Sequence, residues 1–169
     1  MKNVIKAATC AMLLSACASM EPEGPTAVAV VRPASGSQVR GEAKFTQVGS
    51  RVRVTAEITG LSPGAHGFHI HEKGDCSAAD GMSTGGHFNP QSKKHGAPNT
   101  PDRHAGDLGN LTADQSGKAT LTMMVDGISI GKGMDGVIGR GLIVHANADD
   151  LKTDPTGNAG GRFGCGVIQ

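Results

Sequence analysis

An all-β antiparallel sandwich or barrel is the fold class this sequence predicts, and three observations lead there. Segments alternate apolar and polar residues with a period of two, as half-buried strands do. The chain has 26 Gly, four Phe and neither Trp nor Tyr, so its core must be packed from Val, Ile, Leu, Ala and Met in a chain that turns often. No segment sustains helical spacing of apolar residues. At 169 residues and 37% hydrophobic content there is enough for one domain and one core.

The N-terminus stands outside that domain. In "MKNVIKAATCAMLLSAC", Lys2 and Lys6 precede an apolar stretch that ends in small residues, as export signals do, and it is too short for a spanning helix. The ending "LSAC" (14–17) resembles the bacterial lipobox, in which cleavage precedes a cysteine that is then lipidated. Residues 1–16 are therefore expected to be a lipoprotein signal and 17–25 a lipidated, flexible, proline-containing tether anchored through Cys17. The domain is expected over 26–169. Ala18, in place of Asp after Cys17, fits sorting to an outer membrane, with the periplasm of the cell envelope as the compartment.

With Cys10 cleaved away and Cys17 lipidated, Cys76 and Cys165 remain, and an oxidising compartment favours a disulfide between them. Without Lys2 and Lys6, 14 basic side chains face 15 acidic ones. No Lys/Arg-rich run or interleaved aromatics point to nucleic acid, so an anion would have to be handled by local charge.

Along the domain, strands are expected at about 26–32 and 39–47, and then at 51–59, where Val52, Val54, Ala56 and Ile58 face inward. Others follow at 66–72, at 118–125 with Ala119, Leu121, Met123 and Val125 inward, at 137–145 and at 161–168. Two connections stand apart, one from 73 to about 107 and a shorter one over 146–160. The first runs 35 residues and is too polar to order itself by burial. It holds Cys76, His87, His95, His104 and Asp107, so a disulfide and a metal are its natural staples.

On the strand before that loop, His69 and His71 share a face with Cα atoms about 7 Å apart, close enough to converge on one ion at ~2 Å bonds. Ile70 points into the core, and His66 has the opposite parity, which suits structural hydrogen bonding better than ligation. His145 ends the apolar run "GLIVH" and by itself reads equally as a buried, satisfied histidine. Without His66 there are six histidines and one carboxylate, seven ligands against the eight bonds of two four-coordinate sites. Either one site keeps an open position or one imidazole is shared. Tetragonal nitrogen ligation favours Cu²⁺, and three His with one Asp favour Zn²⁺.

These residues closely resemble those of the copper,zinc superoxide dismutases, from about residue 26 to the C-terminus. The resemblance is carried by "GFHIHEKGD" (67–75), "GGHFNP" (85–90), "KKHGAP" (93–98), "RHAGDLGN" (103–110), "VHANADDL" (144–151) and "GNAGGRFGCGVI" (157–168). It implies a Greek-key β-barrel with two long functional loops. It also implies one copper per chain on His69, His71, His87 and His145, and one zinc on His87, His95, His104 and Asp107. His87 would then be the shared imidazole and a proton carrier, and Arg162 the guide for superoxide. Asp149 would link a copper ligand to a zinc ligand, and Cys76 would pair with Cys165.

The chemistry implied is one-electron cycling at copper, which turns superoxide into O2 and H2O2, with zinc in a structural role. Two features depart from the cytosolic eukaryotic pattern: Cys76 lies eleven residues before His87, as in bacterial members, and the loop at 146–161 is short, with Lys152 its only lysine. The motifs leave monomer and homodimer both open. A non-enzymatic copper or zinc carrier on the same fold would be expected to lack the arginine or a copper ligand. A zinc hydrolase would need an uncommitted carboxylate beside the metal, for which the sequence offers no evident place.

Overall fold

The computed structural model describes residues 22–169. The signal and lipidation readings at 1–16 and Cys17 lie outside the described residues, as does most of the expected tether. Among the described residues no helix is long and apolar enough to cross a membrane.

Among the described residues, eight antiparallel strands form one sheet that curls into a nearly closed barrel. In chain order they are β1 (Glu23–Pro33), β2 (Arg40–Val48), β3 (Arg51–Thr59), β4 (Gly64–His71), β5 (Asp107–Ala113), β6 (Ala119–Val125), β7 (Gly141–His145) and β8 (Arg162–Val167). Their spatial order is β5-β4-β7-β8-β1-β2-β3-β6, and the two edge strands, β5 and β6, are joined by a tight turn over 114–118. The non-sequential neighbours β4–β7, β8–β1 and β3–β6 give the Greek-key character.

The half made of β1, β2, β3 and β6 follows the alternation read from the sequence. On β3 the four expected residues are buried, and Phe45 of β2 pairs with Val54 while Ala43 pairs with Ala56. Ala119 and Val125 of β6 are buried, and Leu121 and Met123 pack partly buried against the same core. β1 begins at Glu23, ahead of the expected start at 26, although its first four residues are exposed.

The other half behaves differently. All five residues of β7 and the last six of β4 are buried, because the inner face meets the core and the outer face is roofed by the long connections at 72–106 and 146–161. Phe68 and Ile70 of β4 enter the core, while His69 and His71 stand under the roof. The Cys76–Cys165 disulfide ties the first connection to β8 across 89 residues of sequence, a closure of the kind worth about 2–4 kcal/mol.

Two strand expectations need correction. β5 was not foreseen, because its buried residues Leu108, Leu111 and Ala113 do not alternate. The cause is a register shift, in which Gly67 pairs with Asn110 and His69 with Asp107, and a bulge of this kind breaks the period of two. The strand expected at 137–145 begins only at Gly141. Val137 fills the core from an irregular segment, so its burial is not a strand signal.

Candidate metal centre

Six histidines and one aspartate converge under the roof. His69 and His71 come from β4, His145 from the end of β7, and His87 reaches the group through an isolated bridge to His71. His95, His104 and Asp107 close in from the long connection and the start of β5. All seven are at most 5% exposed.

The candidate ligand atoms fall into two groups, His69/His71/His87/His145 and His87/His95/His104/Asp107, each within a 4.8 Å span. Only His87 belongs to both. This is the shared imidazole that the ligand count left open.

The ring nitrogens show which way each imidazole is set. His71 Nδ1 lies 3.0 Å from the Gly85 carbonyl, and His145 Nδ1 lies 3.3 Å from that of Gly160. A carbonyl only accepts, so each Nδ1 carries the proton and each Nε2 turns a lone pair inward. His69 Nε2 donates to Asp149 Oδ2 at 2.8 Å, which leaves its Nδ1 facing inward. His69 Nδ1 and the Nε2 atoms of His71, His87 and His145 are buried and make no hydrogen bond among the described residues. Four converging lone pairs, each held from behind, are what a nitrogen-ligated metal requires.

The second group is built on Asp107. Its Oδ1 lies 2.8 Å from His87 Nδ1, 3.1 Å from His95 Nδ1 and 3.3 Å from His104 Nδ1. Its Oδ2 accepts the backbone N–H groups of His104 at 2.9 Å and Gly96 at 3.1 Å. His95 Nδ1 is near Asp107 but not in hydrogen-bonding geometry with it. Three Nδ1 atoms and one carboxylate oxygen are a donor set of the kind that suits a tetrahedral zinc site.

Electrostatics sets His95 apart from the four imidazoles of the first group. Burial pushes the pKa of His87 down to about 4 and that of His145 down to about 3, and it holds His71 well below the usual imidazole range. His69 is also lowered by burial, against the pull of Asp149. All four are thus neutral at pH 7, the state in which imidazole ligates. Burial alone would lower His95 too, yet Asp107 and Asp149 raise it to about 10. Against the effect of their own burial, contacts with the histidines hold Asp107 and Asp149 far below the usual carboxylate range. The space between these two carboxylates calls for positive charge.

Asp149 joins the groups, with Oδ1 2.8 Å from His95 Nε2 and Oδ2 2.8 Å from His69 Nε2. Asn110 clamps it through its backbone, accepting the Asp149 N–H at 2.8 Å and donating to the Asp149 carbonyl at 2.9 Å. Gly157 permits the approach, because a Cβ there would lie 1.8 Å from Asp149 Oδ1, and its φ of +62° also favours glycine. Neither Asn110 nor Gly157 was singled out in the sequence. Each sits inside or beside a quoted motif, but no residue pattern marks a backbone clamp.

Arg162 is 8% exposed at the start of β8. Its Nη1 donates to the Gly81 carbonyl at 2.9 Å and to Thr84 Oγ1 at 2.7 Å, and its Nη2 donates to the Gly85 carbonyl at 2.8 Å. Gly85 O is also the acceptor that sets His71, and the Arg162 charge contributes to lowering both His71 and His145. The guanidinium is thus fixed beside the first group. His66 keeps the structural role expected of it, with Nδ1 2.9 Å from the His145 carbonyl and Nε2 2.9 Å from that of Ser62.

Fold and site together define a β-barrel protein with a histidine-bridged pair of metal sites. The family described as copper/zinc superoxide dismutase matches residues 39–168. A solved structure titled "Crystal Structure Analysis of the clock protein EA4" is 47% identical, with a TM-score of 0.76 over 85% of this chain and 92% of that one. The chain belongs to the copper/zinc superoxide dismutase family, and with both metal groups intact and His87 between them it is an enzyme that dismutes superoxide.

Proposed function

We propose that His69, His71, His87 and His145 hold one copper per chain, and that His87, His95, His104 and Asp107 hold one zinc. The observation that carries this assignment is the set of inward lone pairs: four from imidazoles on one side, and three Nδ1 atoms with a carboxylate on the other. Bound by the first group, copper would supply one-electron cycling, in which one superoxide leaves as O2 and a second, with one electron and two protons, leaves as H2O2. Arg162 offers the incoming anion a positive charge in a partly desolvated place. His87 Nε2 is the atom placed to take up a proton, because Asp107 and the zinc group hold its Nδ1 side. Asp149 keeps His69 and His95 in their orientations.

Arg162→Glu should slow superoxide removal about tenfold at low ionic strength and by less at high salt, since steering charge is screened beyond about 10 Å at 0.1 M. Pulse-radiolysis rates across a salt series measure this. Equal rates for variant and wild type at every salt concentration would remove Arg162 from the mechanism.

We also propose that residues 1–16 are a lipoprotein signal and that Cys17 carries lipid, anchoring the domain through residues 17–25. The basic start, the apolar run and "LSAC" support this reading, and Ala18 supports an outer-membrane location facing the periplasm. The working unit is then a monomer or a homodimer at the cell envelope. Labelled palmitate should attach at Cys17, and Cys17→Ala should release the protein from the membrane fraction. Wild-type protein found free in the periplasm would contradict the anchor.

A further inference from the structure

We infer that Asp154 is a second carboxylate through which the 146–161 connection holds the zinc group, a positioning residue for His95 and His104. The inference rests on the zinc assignment proposed above. Asp154 Oδ1 accepts the backbone N–H of His95 at 2.6 Å and lies 3.9 Å from His104 Nε2. His104 turns its Nδ1 toward Asp107, so Nε2 is its outward nitrogen and carries the proton when Nδ1 ligates.

A carboxylate facing the outer nitrogen of a ligating imidazole sets its tautomer and strengthens it as a donor. The same connection serves His95 in this way, through Asp149 at 2.8 Å. The two zinc-side histidines that are not shared with copper thus each face a carboxylate from one loop. At 3.9 Å the Asp154–His104 pair has no direct hydrogen bond, so Asp154 acts on this ring through its charge, and on His95 through the backbone N–H.

The two carboxylates differ in exposure. The Asp149 side chain is fully buried, whereas that of Asp154 is 48% exposed. Pro155 and Thr156, next in the chain, line a surface cleft of about 410 Å3 together with His87, His104, Glu72 and Ser92. Asp154 therefore holds the zinc group from the side that solvent reaches. Its expected contribution is to retention of zinc, with little effect on the copper group, which it does not touch.

The test is zinc release from the metal-loaded protein into a chromogenic chelator, comparing Asp154→Ala, Asp154→Asn and Asp150→Ala. Asp150 organises the same loop through Thr153, Lys152 and Asn158 without touching either metal group, so its variant reports loop loosening alone. Asp154→Ala should release zinc about tenfold faster than wild type. Asp154→Asn keeps an acceptor for the His95 N–H and should fall between the two, and Asp150→Ala should stay within about twofold of wild type. Unchanged release from both Asp154 variants, or equally fast release from Asp150→Ala, would overturn the inference. Wild-type protein that takes up no zinc at all would overturn the zinc assignment beneath it.

Discussion

With His71 replaced by alanine and copper supplied in excess, superoxide removal is expected to fall at least about a hundredfold. Losing even an outer hydrogen-bond partner costs a metal site 10–100-fold, and His71 Nε2 is one of four inward donors. The loss should be local. His71 Nδ1 is set by the Gly85 carbonyl, which also accepts Arg162 Nη2, so the guanidinium keeps its contacts with Gly81, Thr84 and Gly85 when the ring is removed. Zinc content should therefore stay near wild type while the copper signal and activity disappear together. Unchanged activity would defeat the copper assignment.

The second large effect is expected at Asp107. Removing this carboxylate leaves the backbone N–H groups of Gly96 and His104 and the Nδ1 of His87 without their acceptor, all of them buried. It also takes away the negative charge that, with Asp149, sustains a charged His95. Breaking a buried charge pair from one side costs about 3–5 kcal/mol, so metal-free Asp107→Ala should unfold at clearly lower denaturant than the metal-free wild type. It should also lose zinc binding, and with zinc the order of the 72–106 connection. Limited proteolysis of the zinc-supplemented variant should cut within that connection, where the wild type resists. Equal denaturation midpoints and equal protease resistance would show that Asp107 does not organise the loop.

How much of this was legible beforehand differs between the halves of the barrel. Where one face meets the core and the other meets water, the period of two is visible, and 51–59 and 118–125 could be read directly from it. Where loops cover the outer face, burial is continuous, and in β5 a bulge interrupts the pattern, so DLGNLTA looks like more loop. Strand parity was enough to pair His69 with His71 and to set His66 apart. It could not identify the shared imidazole, because His87 meets the other ligands through a long connection whose path depends on tertiary contacts. That assignment came from the resemblance, and the geometry places His87 in both groups. Asn110, Gly157 and Asp154 escaped for a related reason. They act through backbone groups and close approaches, which leave no spacing rule in the chain.

The most direct test of the account is metal analysis and a superoxide assay on the same sample of purified wild-type protein. One copper and one zinc per chain, with removal of many superoxide equivalents per copper, is the result expected from two donor sets that share His87. Full loading with both metals and no catalytic turnover would contradict it, and would make the chain a metal-binding module on an enzyme's fold.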